Sequence, residues 1–325
     1  MAPFVLERQT KSDSSSEATV DVHVLLAGHL TLPEKYFVHP ASDTARRTVP
    51  SLSFLIQHQH PVSKKLTRIV FDLGLRRNTD RYPDPIRRHI ATRQPLTTDP
   101  DVVKSLAAAG VTPNDIDYVI YSHVHWDHIG EPRDFPRSIF IVGNKTMSLL
   151  HGKPDTLHGS HSFFERDLLP QDRTIELSDP NITSTQTPNQ DIPIGEPDFR
   201  QPWTTHPDLG SVIDLFKDGS LYIVDAPGHL PGHINLLAKT APGRYVYLAG
   251  DACHDRRIMR RQKDIGEWHD LEGHLCCMHA DKKVAEETIG RIRELERKGV
   301  EIIFAHDVEW EEDRRNKSRF LRPRL

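Results

Sequence analysis

Residues Tyr121–Gly130 read Y-S-H-V-H-W-D-H-I-G, and four of these ten side chains, His123, His125, Asp127 and His128, are of metal-ligand type. The run before them, Ile116–Tyr121 (I-D-Y-V-I-Y), is β-branched and aromatic, which predicts a buried strand. The ligand run therefore begins where a strand ends, and Ile129-Gly130 lets the chain turn. On extended backbone alternate side chains share a face, so His123 and His125 can address one ion. Asp127 and His128 are adjacent and diverge, which suits a second ion close by. Imidazole and carboxylate are ligands of Zn²⁺, with His-rich sets typical of catalytic sites. A lone histidine at a strand end is usually an ordinary polar residue. Three histidines and an aspartate between positions 123 and 128 favour metal binding.

Working outward, strands are expected at Val20–Leu32, Leu52–Gln57 and Arg68–Leu75, the last two joined by a turn at Pro61–Lys65. Asp72, at the end of the third, is either a loop-capping carboxylate or a support for a metal ligand. Asn78–Pro100, rich in Arg, Pro and Asp, reads as an irregular crossing with one short helix. Asp101–Ala109 reads as a helix with Asp101 as N-cap and Gly110 just past its end. A strand at Ser138–Val142, a short helix at Lys145–His151 and a strand at Arg173–Ser178 follow. Asp179–Gly210 is dominated by Pro, Thr, Asn and Asp and reads as a structureless loop inserted near the mouth of the site. Short strands then resume at Val212–Phe216, Leu221–Val224, Ile234–Lys239 and Tyr245–Leu248. Lys282–Lys298 has helical spacing of Val284, Thr288, Ile292 and Leu295 and ends at Gly299; Glu301–Ala305 reads as a last strand. Residues 1–18 are polar and Ser-rich, a flexible lead-in; 19–312 form one domain, and 313–325 an Arg-rich tail. Strands and helices in this order suit two β-rich halves covered by helices, a four-layer αββα sandwich of the α/β (α+β) class.

The chain of 325 residues has 37% hydrophobic and 27% charged residues, a composition of globular domains with a sizeable core. A net charge of −4, with acids and bases interspersed, points to no nucleic-acid partner. No run approaches the ~18 apolar residues of a membrane span, and the N-terminus carries no signal-peptide core. Three cysteines, Cys253, Cys276 and Cys277, make no disulfide framework; a reduced, cytoplasmic protein is expected.

A second ion needs ligands from the second half. Asp225–His233 (D-A-P-G-H-L-P-G-H) follows a predicted strand, and its Pro-Gly turn leaves His229 at the tip, with His233 as competitor. Gly250-Asp251-Ala252 offers a carboxylate with two oxygens, able to bridge two cations. Ala305-His306-Asp307 closes the last predicted strand in the same way. The run W-H-D-L-E-G-H-L-C-C-M-H adds His269, His274 and His279 with Cys276 and Cys277. It lacks CxxC spacing, so a loop lining the pocket mouth is preferred over a structural zinc site.

H-V-H-W-D-H, A-P-G-H-L-P-G-H, A-G-D and F-A-H-D together resemble the metallo-β-lactamase superfamily in its HxHxDH form, from about Val20 to Trp310. The chain is most similar to the lactonase branch, which includes N-acyl homoserine lactone lactonases and fungal enzymes that open lactams or cyclic carbamates such as benzoxazolinones. The resemblance implies two Zn²⁺ ions: one held by His123, His125 and His229, the other by Asp127, His128 and His306, with Asp251 bridging. It favours His229 over His233. It also implies a metal-bridging hydroxide that attacks a ring carbonyl, with Asp127 as ligand and proton acceptor. Lactonases carry a tyrosine three residues beyond the bridging aspartate; here His254 stands there and can donate to a carbonyl or a leaving group. Trp126 is either core or pocket wall. The expected substrate is a small lactone, lactam or cyclic carbamate, in detoxification or signal degradation. Rival readings are an N-acyl homoserine lactone lactonase proper, an iron-dependent redox member of the superfamily, a nuclease, and a binding protein with a dead site.

Overall fold

A computed structural model describes residues 4, 18–152, 157, 163–182, 192–193 and 195–321. The first sheet contains β1 (Val20–Pro33), β3 (Arg46–Gln59), β4 (Leu66–Phe71), β5 (Tyr118–Ile120), β6 (Ile139–Val142) and β7 (Thr174–Glu176), with β2 (Val38–His39) outside it. Its order is β1-β3-β4-β5-β6-β7, antiparallel across the first three strands and parallel from β4 onward. The second sheet holds β8 (Thr204–His206), β9 (Gly210–Asp214), β10 (Leu221–Asp225), β11 (Ile234–Ala241), β12 (Arg244–Leu248) and β16 (Glu301–Ile303). It is antiparallel except that β12 and β16 run parallel. Between them in sequence lie β13 (Asp264–Ile265), which pairs with β2, and the hairpin β14 (Glu267–His269) with β15 (Leu275–Cys277).

The sheets pack face to face because both alternate. Val22, Phe54, Ile69 and Ile120 of the first meet Ile213, Ile223, Leu236 and Val246 of the second in one buried cluster. The opposite faces are covered by helices. α1 (Asp84–Ala91) buries Ile86 and Ile90, and α2 (Val102–Ala108) buries Val102 and Leu106. α3 (Thr146–Leu150) and α4 (Arg256–Met259) are single turns, whereas α5 (Lys282–Arg297) places Thr288, Ile289, Ile292 and Leu295 on its buried stripe. Asp101 caps α2 by accepting from Lys104 N at 3.0 Å. The four layers are as the sequence predicts.

The strand directions explain where function gathers. β4 and β5 are parallel neighbours, as are β12 and β16, so the chain leaves each pair at the same edge. β10 runs with β12, two antiparallel steps away, and leaves there too. The two sheets are tied at this edge by Ile234 N to Ser122 O and Leu52 N to Ala305 O, both 2.9 Å. Close approach there demands glycine: a Cβ on Gly130 (φ +45°) would lie 2.6 Å from Leu73 O, and one on Gly74 (φ +63°) 2.6 Å from Ala27 O.

Several expectations are corrected. The third strand stops at Phe71, because Asp72 turns to a left-handed φ of 59°, and does not run on to Leu75. The stretch 179–210 is not one structureless loop: β8 lies within it and β9 starts at its last residue, while 183–191 and 194 fall outside the described residues. Polar Thr204-Thr205-His206 lacks the apolar alternation by which strands are read, and forms through pairing with β9. The described part of the Arg-rich tail, residues 313–321, packs on the domain. Arg314–Arg319 form a 3₁₀ helix, Leu321 N donates to Val24 O at 2.9 Å, and Arg319 pairs with Glu301. The lead-in lies outside the described residues except Phe4 and Ala18; Phe4 is buried against Tyr245. α6 (Val308–Glu312) precedes the tail and buries Trp310.

Candidate metal centre

All seven candidate ligands reach the common edge and are buried there. His123 to His128 follow β5, His229 lies between β10 and β11, Asp251 follows β12 and His306 follows β16. His123 Nε2, His125 Nδ1 and His229 Nε2 stand 2.9, 3.1 and 3.2 Å from one another. Nitrogens that share a tetrahedral Zn²⁺ at ~2.0–2.1 Å are about 3.3 Å apart, so the three converge as donors to one point. The second group is Asp127, His128 and His306, with His306 Nε2 at 3.4 Å from Asp127 Oδ2.

Asp251 joins the two groups. Its Oδ1 lies 3.2 Å from His128 Nε2 and 3.4 Å from His306 Nε2. Its Oδ2 lies 3.6 Å from His229 Nε2 and 3.8 Å from His123 Nε2. His128 Nε2 and Asp251 Oδ1 are buried and make no hydrogen bond despite their separation, so both face a shared space and not each other. Orphaned polar atoms of this kind are costly in a protein interior unless a ligand satisfies them. The donor set fits a pair of divalent cations.

The imidazoles are aimed from behind. Asp72 accepts from His128 Nδ1 at 2.9 Å, and from the Ser122 amide and hydroxyl, each at 2.7 Å. Because the Ser122 hydroxyl donates to Asp72, it accepts from His123 Nδ1 at 3.0 Å. His306 Nδ1 donates to Pro50 O at 2.7 Å. Each contact places the proton on Nδ1 and leaves Nε2 toward the cluster. Asp72 thus orients the ligands and does more than cap a loop. His233 is occupied on both sides: Nδ1 donates to Ala226 O at 3.1 Å, and Nε2 accepts from Asp251 N at 3.2 Å. It braces the Asp251 loop, whereas His229 Nε2 lies beside His123 and His125.

Electrostatics divide the two groups. Burial, then the neighbouring imidazoles, hold His123 and His229 far below the usual histidine range. Burial opposes charge at His306 as well, but Asp251 and Asp127 outweigh it and push the ring up to about 10. Burial would raise Asp127, yet the His306 hydrogen bond and the charges of His128 and His306 bring it down to about 2. Without metal, then, the second group carries protons where a cation would sit, and metal entry must release them.

His254 Nε2 donates to Asp251 Oδ2 at 3.1 Å, with its ring 5.2 Å from Phe37. It lines a cavity with Asp127, Asp251, His306, Trp126, Phe37 and Arg93. Trp126 is both core and wall: it is 5% exposed and borders this cavity. Of the three histidines in the W-H-D-L-E-G-H-L-C-C-M-H run, His279 is the one brought to the site. It is buried 5.2 Å, ring to ring, from both His229 and His254, whereas His269 and His274 are exposed. The stretch expected as a pocket-mouth loop forms the β14–β15 hairpin, Met278 just beyond it borders the cavity, and among the described residues no metal-competent group includes Cys276 or Cys277.

The Metallo-beta-lactamase superfamily model matches residues 47–298. The chain belongs to the metallo-β-lactamase superfamily. Within it, the chain is 29% identical over 318 residues to the cytochrome P450 monooxygenase mpaDE of Penicillium roqueforti, covering 90% of this chain and 34% of that one. It is 28% identical to the gamma-lactamase FDB1 of Fusarium pseudograminearum, over 74% of this chain and 54% of that protein. The metallo-β-lactamase chain thus spans from a third to about half the length of these relatives. Among solved structures, a variant of B. thuringiensis AiiA with N-decanoyl-L-homoserine bound aligns with a TM-score of 0.59 at 17% identity, over 92% of this chain and 96% of that one. At that identity the likeness is one of fold. No helix among the described residues of this superfamily member is long and apolar enough to cross a membrane.

Proposed function

We propose that this metallo-β-lactamase chain is a two-zinc hydrolase that opens a small cyclic ester or amide: a lactone, a γ-lactam or a cyclic carbamate. The observation that carries the proposal is Asp251, one oxygen turned to each of two groups of ligand atoms. His123, His125 and His229 would hold one ion and Asp127, His128 and His306 the other, with Asp251 common to both. Relatives named gamma-lactamase and N-acyl homoserine lactonase support hydrolysis of a cyclic carbonyl compound.

Bound zinc supplies Lewis acidity and brings the pKa of water towards ~7. The chain supplies the rest. Trp126 and Phe37 wall the cavity and exclude bulk water from the ring. Asp127 borders the cavity with a carboxylate that would take up a proton as the ring opens. His254 presents an N–H at Asp251 and can turn that proton to the leaving oxygen or nitrogen. Cys253, Cys276 and Cys277 form no disulfide, which suits a reducing, cytoplasmic setting.

The test is a panel of γ-lactones, thiolactones, β-lactams, γ-lactams and benzoxazolinones assayed with zinc. At least one class should turn over, lose activity on chelation and regain it with zinc. Iron in the purified protein together with oxygen consumption would overturn the hydrolytic reading. His254→Ala should lower kcat about 10²-fold, the usual worth of one general acid, while metal content stays at the parent level. Loss of metal in that variant would make His254 a ligand.

A further inference from the structure

Arg93 is buried beside the metal cavity without a counter-charge. Its main chain is fixed at both ends: the amide donates to Ile90 O at 2.9 Å, and the carbonyl accepts from Thr31 N at 3.0 Å. The side chain is 7% exposed and lines the cavity that also contains Asp127, Asp251, His254 and His306. Among the described residues its one side-chain hydrogen bond runs from Nη1 to Thr92 Oγ1 at 3.0 Å. Among the described residues no carboxylate comes within ion-pair distance of it. The other deeply buried arginine, Arg76, differs in this respect, with Glu131 and Glu165 both against it.

A guanidinium carries five N–H donors in a rigid plane. Buried with one bond made, it leaves most of that hydrogen-bonding capacity directed at whatever fills the cavity. The nearest acids do not satisfy it. Asp127 acts on Arg93 through space only, and its oxygen faces His306. His89, which lines the same cavity, is held neutral by burial, its pKa down at about 4, so it brings no second charge. The remaining wall near these groups is apolar: Leu30, Leu32, Phe37 and Trp126. An apolar slot with one planar cation is shaped for a flat molecule bearing a single anionic group. Carboxylate matches the guanidinium fork with two parallel hydrogen bonds, which a neutral carbonyl or hydroxyl cannot offer.

We infer that Arg93 is a specificity-determining residue of this cavity, and that the cyclic substrate carries a carboxylate besides the bond that is opened. The inference rests on the ring-opening reading for its substrate and on the burial of Arg93 for its anion. It assigns no role in bond breaking to Arg93, which binds and orients.

The experiment uses the zinc-loaded chain with 5-oxotetrahydrofuran-2-carboxylate and its methyl ester, the same lactone with and without the charge. The parent should prefer the acid by about tenfold or more in kcat/KM, as expected for one charge-assisted pair. Arg93→Gln should raise KM for the acid by a similar factor, leave the ester within about twofold, and so erase the preference. Arg93→Lys should restore part of it, which a purely structural role would not produce. In parallel, calorimetry measures binding of tetrahydrofuran-2-carboxylate, which has no bond to open, against its neutral carboxamide. Binding of the acid about tenfold weaker in Arg93→Gln than in the parent supports the inference, whether or not either lactone is turned over. Equal binding by both, or an ester used as well as the acid by the parent, overturns it. Failure of both lactones with calorimetric discrimination intact counts against ring opening and in favour of Arg93 as the anion site.

Discussion

Replacing Asp251 with alanine is expected to lower turnover by ~10³-fold or more, about 4 kcal/mol of activation barrier, and to leave at most one zinc ion per chain. The reason is geometric. Asp251 is the one described side chain whose two oxygens address both ligand groups, Oδ1 towards His128 and His306 and Oδ2 towards His123 and His229. Removing it separates the groups and takes a negative charge from among five imidazoles, those of His123, His128, His229, His254 and His306. Asp251→Asn keeps the shape and one acceptor, so it should retain more metal than alanine but still lose most activity. Elemental analysis after gel filtration and initial rates on the same samples check both. An alanine variant with two zinc ions and parental turnover would refute the bridging role.

Arg76→Met is expected to destabilise the fold by about 3 kcal/mol, because it removes the buried partner of Glu131 and Glu165 and leaves them only the more exposed Arg81 and Arg133. Arg76 is 1% exposed, and its Nη2 donates to Glu165 Oε2 at 2.8 Å, while Nε is 3.4 Å from Glu131 Oε2. Nε also donates to Gly130 O at 2.8 Å, and Tyr82 OH, 2.8 Å from Arg76 N, donates to Trp126 O at 2.8 Å. The guanidinium lies 4.5 Å over the Tyr82 ring. This cluster therefore clamps the backbone of the ligand loop at Trp126 and Gly130. In a thermal melt the loss should read as a drop on the order of 5–10 °C. Adding Glu131→Gln and Glu165→Gln to the same chain should recover part of it, because the buried carboxylates that lost Arg76 are then uncharged. An unchanged melt in the single variant would show that the network contributes little.

The site was legible because its parts are local. Ile116–Tyr121 announces a strand, and the His-Asp run sits at its end, so position and chemistry reinforce each other in ten residues. His229, Asp251 and His306 are weak signals alone and become informative through their shared placement after strands. Charge pairing across long separations was not legible. Nothing near Arg76 marks Glu165 as its partner, since the two are brought together only by the packing of the ligand loop. Arg93 and His89 lie in Asn78–Pro100, an Arg- and Pro-rich stretch whose composition signals a crossing and hides which arginine turns inward. β8 and the β14–β15 hairpin escaped for a different reason: strands of three residues are too short to show a period and form through their neighbours. Phe4 is the converse case, an apolar residue of a mostly polar lead-in, docked on Tyr245.

Anomalous diffraction at the zinc absorption edge from crystals grown with zinc tests the metal centre most directly. Two peaks about 3.5–4 Å apart are expected, one among His123, His125 and His229 and the other among Asp127, His128 and His306, with Asp251 touching both. A single peak, or two that Asp251 does not link, would contradict the assignment.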